Sequence, residues 1–281
     1  MSPQLDVSSL EHEGIIRVPY PENLRVGIHE AIMAWEAFCA LPEDIKTKIS
    51  YSGDTNVSGN GYEMKKTPGN VDLKENFHLR VEARDALMEE AAKAGDVAEN
   101  FIDTALSLNS LMAPVIQEFA AAVEKQFMLP NFKRDTMEWQ PVWLIRFLHY
   151  FGDREPGEVI AAPHPDKGGF TLHLYESHPG LEYLTYAGRE WKPMNFNENE
   201  TAIIPGLRLQ YRSENRLKAT YHRVVANNES AVSGRFSAVC FIGFANTPNH
   251  NKTSNGRTQD YPLAFNYDIP FEEFKKRFTA E

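Results

Sequence analysis

The hydrophobic period of this 281-residue chain changes near residue 138, and that change restricts the folds open to it. Upstream, apolar residues recur at helical spacing. In "PENLRVGIHEAIMAWEAFCALPEDIKTKI" (21–49) the repeat is Leu24, Ile28, Ile32, Trp35 and Phe38, and Pro42 is expected to close the helix. A second helical pattern covers about 96–127 through Phe101, Ala105, Leu108, Leu111, Met112, Val115, Ile116 and Phe119, with Pro130 beyond its end. Downstream the period becomes two. "EWQPVWLIRFLHY", "TLHLYE", "LEYLTY", "TAIIPG", "TYHRVVA" and "RFSAVCFIGF" read as short strands separated by turns.

Many short strands after a helical region argue for an α+β protein with a mainly β core, a double-sheet jelly roll or related barrel. One more strand is expected in "GIIRVPY" (14–20), and a short amphipathic helix in "IPFEEFKKRF" (269–278). "YSGDTNVSGNGYEMKKTPGN" (51–70), rich in glycine and polar residues, reads as a long loop. A chain of this length can form one core, so the expected organisation is a single catalytic domain over 1–281. It comprises a helical region (1–137), the jelly-roll core (138–250) and a C-terminal tail with its helix (251–281).

Composition narrows the partners. Lys and Arg number 29 against 39 Asp and Glu, a formal charge of −10 with no long basic run, which disfavours nucleic acid and weakly disfavours a highly anionic substrate. Cys39 and Cys240 lie in apolar surroundings and read as free thiols in a reducing compartment. The N-terminal residues have neither a basic start nor an apolar core, and no run approaches eighteen consecutive apolar residues. The expectation is a cytoplasmic protein without a membrane span, acting on a small molecule.

Chemistry is concentrated in "AAPHPDKGGFTLHLYE" (161–176). On an extended strand, residues i and i+2 share a face, so His164 and Asp166 can direct an imidazole and a carboxylate into one cavity. A third ligand is available in His222, set in the apolar strand "ATYHRVVA". Two histidines and one carboxylate on one face of a metal leave coordination positions open. That arrangement suits ferrous iron better than structural zinc, which takes four ligands and often thiolates. Taken alone, His-x-Asp is also compatible with a polar turn. In "SGRFSAV", Arg235 and Ser237 stand two apart on an otherwise apolar strand. An inward arginine needs an anion, and its planar fork fits a carboxylate; a surface arginine at a strand start is the plainer alternative.

The order of these motifs resembles that of the iron(II)- and 2-oxoglutarate-dependent dioxygenases of the isopenicillin N synthase type. His164-Pro165-Asp166, His222-Arg223-Val224 and Arg235-Phe236-Ser237 match that family's His-x-Asp, distal His-Arg-Val and Arg-x-Ser. The flanking segments "HPDKGGFTLHLYESHPGLEYLTYAGREWKPM" and "PGLRLQYRSENRLKATYHRVV" are similar too, as are the first helix, "GNGYE" and "DLKENFHL", so the resemblance spans nearly the whole chain. It implies a double-stranded β-helix and Fe(II) on His164, Asp166 and His222. It also implies 2-oxoglutarate as cosubstrate, its far carboxylate on Arg235 and Ser237 with help from Tyr150, and O2 as oxidant.

Two positions depart from the family pattern. Leu148 stands where many members have asparagine, and Leu207 where many have aspartate. Tyr62, Met64 and Phe244 are expected as pocket walls. His173, flanked by Leu172 and Leu174, is expected to face away from the ligands; His178 is expected to be structural or exposed, and Gly168 and Gly169 to make a turn. Two alternatives stay open, an oxidase of the same fold that does not use 2-oxoglutarate and a cupin-like binding protein.

Overall fold

The computed structural model describes residues 5–51, 59–65, 73–187, 189–246 and 270–278. The first long helix is Glu22–Cys39, burying Leu24, Ile28, Ala31, Trp35 and Phe38 on one face. It stops three residues before Pro42, which lacks an amide donor and instead opens the short helix Glu43–Lys46. The second, Asp96–Phe127, keeps its apolar stripe along all 32 residues. By length and composition this helix could cross a membrane, yet 56% of its most apolar window is buried inside the protein, as in a core helix. Phe101 on this helix meets Trp35, Phe38, Phe77 and Phe147, with ring centroids 5.1–5.3 Å away. Two further helices, Arg84–Ala94 and Phe132–Glu138, complete the helical layer.

Eleven strands are described: β1 (Ile16–Pro19), β2 (Gly61–Lys65), β3 (Lys74–Leu79), β4 (Leu144–Tyr150), β5 (Val159–His164), β6 (Phe170–Glu176), β7 (Leu181–Leu184), β8 (Trp191–Pro193), β9 (Glu200–Pro205), β10 (His222–Val225) and β11 (Arg235–Ile242). They pair antiparallel in two sheets, β1-β9-β6-β11-β4-β3-β2 and β5-β10-β7-β8.

Both faces of the larger sheet are covered. Ile145, Phe147, Leu172, Leu174, Ala238 and Cys240 join the helices in one apolar core. Their neighbours Leu148, Tyr150, Thr171, His173, Ser237 and Val239 turn the other way, toward the smaller sheet, and line an interior cavity with Ala161, Leu181 and Val224. Period two thus separates a dry helical side from a barrel interior. This is the jelly-roll architecture expected from the strand pattern, with a short C-terminal helix at Phe271–Lys276.

The loop expected over 51–70 is corrected in part. Gly61–Lys65 is a strand paired with β3, because long-range ladder bonds outweigh the local preference of glycine and lysine for turns. Gly61 itself has φ +99°, and a Cβ there would lie 2.5 Å from the Ile49 carbonyl oxygen. Positions 52–58 and 66–70 of that stretch, and 251–269 of the C-terminal tail, lie outside the described residues.

Candidate active site

His164 is the last residue of β5, and Asp166 follows just beyond the strand rather than within it. The extended-strand argument that joined them therefore holds for the histidine alone. Asp166 is placed by a turn: its carbonyl accepts from the Leu207 amide at 2.8 Å, and the Gly168 carbonyl accepts from Arg208 at 2.9 Å. A Cβ on Gly206 would lie 2.4 Å from the Gly168 carbonyl oxygen, so glycine is required where this turn crosses. Gly168 and Gly169 are turn residues, as expected, and Leu207 contributes its backbone where a side-chain role was in question.

His222 opens β10 directly opposite His164 in the ladder. Their ring centroids are 4.6 Å apart. The Nε2 atoms of His164 and His222 lie 3.9 and 3.8 Å from Asp166 Oδ1. Each imidazole is oriented from behind, with Nδ1 bonded to the Ala162 carbonyl (2.7 Å) in one and the Thr220 carbonyl (3.1 Å) in the other. Nδ1 therefore carries the proton, and the Nε2 lone pairs point to the shared space. The Thr171 hydroxyl donates to Asp166 Oδ2, leaving Oδ1 toward the histidines. Although the His164 side chain is half exposed, desolvation by the barrel wall around its ring, then the neighbouring His222, lowers its pKa, which favours the neutral form that a metal needs. The three ligand atoms lie within 4.8 Å of one another, and this donor set with its outer partners fits a divalent metal.

Arg235, Ser237 and Tyr150 line the same interior as these three residues. Arg235 is fully buried and faces Tyr150 across the β11–β4 ladder. It already has partners: Nε donates to the His178 carbonyl at 2.9 Å, and Nη2 donates to the carboxylate of Glu176. Burial raises the pKa of Glu176 in spite of the opposing pull of that guanidinium. The Ser237 hydroxyl donates to the Tyr175 carbonyl at 3.0 Å. Sequence reasoning missed Glu176; the only available signal was an acid ending an apolar strand.

Other expectations are corrected. His173 faces the ligands' side, beside Thr171, and Leu172 and Leu174 face the helices. Its flanking leucines misled because the reverse face of the sheet is also buried. His173 stacks on Phe196 with centroids 4.1 Å apart, and its buried Nε2 has no hydrogen-bond partner among the described residues. Burial, reinforced by the positive charge of Arg235, pushes its pKa down to about 3. His178 is partly buried and bonded to Ser177, in line with a structural role.

None of the expected wall residues borders the site. Tyr62 donates to Glu75 (2.8 Å), Phe244 packs on Phe132, and Met64 rests on the helical core. Glu75 also accepts from Lys46 (2.7 Å) and bonds His149 (2.8 Å). With Cys39 beside it this cluster has ligand-like spacing, but the carboxylate oxygens are already engaged, which makes it a satisfied polar network.

Beyond the histidines a cavity of about 710 Å³ opens outward, walled by Trp139, Val142, Leu144 and Phe241 and closed on one side by Phe271 of the C-terminal helix. A barrel interior with two histidines and a carboxylate at its mouth, and an arginine deeper inside, is the arrangement that suits a non-haem metal oxygenase.

The comparisons agree. Residues 142–244 match the profile described as the 2OG-Fe(II) oxygenase superfamily. A 2-oxoglutarate-dependent dioxygenase of Didymella fabae is 24% identical over 249 residues, covering 76% of this chain and 71% of that protein. Clavatol oxidase claD of Penicillium crustosum is 32% identical over 108 residues, covering 36% of this chain and 30% of that protein. Among solved structures, a full-length Neurospora crassa protein in complex with alpha-KG and 5-formyluracil superposes with a TM-score of 0.71 at 18% identity, covering 97% of this chain and 87% of that chain. A 2OG-Fe(II) oxygenase family protein from Caulobacter crescentus gives 0.68 at 24% identity, covering 96% and 91%. Residues 142–244 thus form a 2OG-Fe(II) oxygenase superfamily domain, and a relative matched over most of the chain is a 2-oxoglutarate-dependent dioxygenase. The protein is an enzyme of the 2-oxoglutarate-dependent dioxygenase kind, with Fe(II) and 2-oxoglutarate as cofactors and O2 as the general oxidant of the family.

Proposed function

We propose that the protein oxidises an unactivated carbon of a small-molecule metabolite by hydroxylation, releasing succinate and CO2. His164, Asp166 and His222 hold Fe(II). Arg235, Ser237 and Tyr150 receive the far carboxylate of 2-oxoglutarate. The observation that carries this reading is the convergence of two Nε2 lone pairs and Asp166 Oδ1, each ligand fixed from behind by Ala162, Thr220 or Thr171. Bound together, Fe(II) and 2-oxoglutarate supply the reductive activation of O2 that makes such a C–H bond reactive.

The protein's own part is placement and exclusion of water. Leu148, Leu181, Val224 and Val239 keep the interior apolar around the charged groups, where electrostatic contacts are strongest. Small-molecule chemistry is supported by what related structures bind: thymine or 5-formyluracil in the Neurospora crassa protein, and JA together with 2OG and Fe in JOX2. The buried Cys240 and the partly buried Cys39, both unpaired, support a reducing, cytoplasmic setting.

The test is an anaerobic titration of the metal-free protein with Fe(II) and 2-oxoglutarate, following the visible charge-transfer band of the chelate, repeated with Arg235→Ala. A band that needs iron and weakens in the variant supports the reading. A second reading, an iron oxidase that does not use 2-oxoglutarate, draws on the Glu176 carboxylate already held by Arg235. Iron binding without the band would favour it, and absence of iron binding would sink both.

A further inference from the structure

Arg146 sits on the inward face of β4, opposite Val239 of β11, and lines both the interior cavity and the outer one. Its guanidinium carbon lies 4.7 Å from the centroid of the Phe241 ring, at the neck between the two spaces. Other arginines of the barrel and its surroundings have carboxylates: Arg235 holds Glu176, Arg212 holds Asp135 at 2.7 Å, and Arg223 holds Glu182 at 2.7 Å. Arg146 pairs with no carboxylate among the described residues, and its Nε–H is buried without a hydrogen-bond partner.

A guanidinium so placed is electrostatically unsatisfied. Burial weakens its hold on the proton, and the fields of Asp166 and Glu63 offset this only in part. Asp166 is turned toward the histidines, and Glu63 accepts from Asn76 (3.2 Å) and contacts His78 (3.3 Å). A divalent metal on Asp166 would remove most of the remaining compensation. The surroundings have the same sign. Seven of the side chains lining the outer cavity are Lys or Arg and two are Asp or Glu, in a chain whose overall charge is −10.

Between these charges the walls are aromatic. Arg208 lies 5.4 Å from the Trp139 ring and 5.1 Å from the Phe271 ring. A basic neck with apolar walls suits an anionic head on an apolar body.

We propose that the substrate is a small apolar carboxylic acid, and that Arg146 holds its carboxylate at the neck beside His164, Asp166 and His222. This rests on the oxygenase reading above. A planar fork gives two-point contact to a carboxylate, and at the neck, where Lys74 also lines both cavities, the Asp166 carboxylate opposes added negative charge, which suits a monoanion better than a dianion. Arg146 is then a substrate-binding residue, separate from Arg235 deeper in the barrel. The acid's body extends along Phe241 toward Trp139 and Phe271, so the carbons near its head lie closest to the metal-ligating atoms.

The experiment is anaerobic calorimetric titration of the Fe(II)- and 2-oxoglutarate-loaded protein with phenylacetate, phenylpropionate, phenylbutyrate and octanoate. Each acid is paired with its primary amide, and phenyl phosphate is added as a further probe. At least one acid should bind about tenfold or more tighter than its amide, the scale of one charge-assisted bond. Arg146→Gln should erase that preference and Arg146→Lys should retain part of it. Both variants should keep the visible band with Fe(II) and 2-oxoglutarate, and thermal unfolding verifies their fold.

The proposal is overturned if no acid outbinds its amide, if the preference survives Arg146→Gln, or if phenyl phosphate outbinds every acid. Loss of the band in Arg146→Gln would also overturn it, by assigning Arg146 to the cosubstrate. Absence of the band in the unaltered protein would count against the oxygenase reading alone, because the acid and amide comparison is repeated without iron and 2-oxoglutarate.

Discussion

The carboxylate of Glu176 closes on the guanidinium of Arg235 inside the barrel, at the position where the proposed function needs a receptor for the cosubstrate. An internal carboxylate and an incoming one compete for the same charge. Glu176→Gln keeps a hydrogen-bond acceptor but removes the competing charge. We expect 2-oxoglutarate to bind about tenfold tighter, measured by the midpoint of the anaerobic chelate band. Unfolding stability should fall by about 1–3 kcal/mol through weakening of the buried pair. Unchanged or weaker 2-oxoglutarate binding would mean that the pair is structural and the cosubstrate lies elsewhere.

Thr171→Val keeps the shape of the side chain and deletes the donor to Asp166 Oδ2. The carboxylate is then free to rotate. Fe(II) affinity should fall by about 10- to 100-fold, the usual effect of losing an outer partner, while thermal unfolding of the metal-free protein changes little. Competition with a coloured chelator reads the affinity, and an unchanged value would count against Asp166 as a ligand held by Thr171.

His173 makes acid stability predictable. Its pKa falls from 6.5 to about 3 on folding, and that of His78 to about 4, in both cases chiefly through burial. The native protein keeps both neutral, whereas the unfolded chain takes up their protons below about pH 6.5. Their contribution is fully present above that pH and is lost as the pH falls toward 4 and then 3, by roughly 1.4 kcal/mol per pH unit for each residue. His173→Phe preserves the stack on Phe196 and removes one of these protons. Urea unfolding of the metal-free proteins between about pH 6.5 and 4.5 should show a slope shallower by about one proton in the variant. Glu63 and Glu75, both lowered to about 2 on folding, begin to add protons to the unfolded chain toward the lower end of that range, but they do so equally in both proteins, so the difference between the two slopes isolates His173. Equal slopes would show that His173 takes up a proton in the native protein.

Phe101→Ala should be among the most damaging substitutions outside the site. Phe101 is fully buried and touches four aromatic rings from three elements, so truncation leaves a cavity that rigid neighbours cannot fill. The expected loss is about 3–5 kcal/mol in chemical denaturation, with the metal affinity of the surviving folded protein unchanged.

Legibility in the sequence followed the range of the interactions. Helix Asp96–Phe127 could be read to its ends because its stripe, Phe101 to Phe119, is a local period. β2 could not be read, since pairing with β3 decides it and the segment's own composition suggests a loop. The candidate ligands were legible as residue types: histidine and aspartate close together near an apolar strand, and a histidine inside another. Glu176 and Arg146 were not. An acid at a strand end and an arginine in "LIRFLHY" acquire meaning only through what lies opposite them. The overall acidic charge likewise suggested nothing of the basic outer cavity, because net charge is a sum over the whole surface and a cavity samples one part of it.

By itself, the sequence determined where the chain is helical and where it alternates, and supplied two imidazoles, a carboxylate and an arginine on strands that could share a cavity. Only the tertiary structure decided which way those strands face. Period two assigns alternate residues to opposite sides but does not say which side is the barrel, and with both sides buried the hydrophobic pattern cannot break the tie. Docking the helices against Leu172 and Leu174 turns Thr171 and His173 inward, and the β5–β10 register sets His164 against His222. Packing over long sequence distances made that choice, and with it set which charges are paired and which await a ligand.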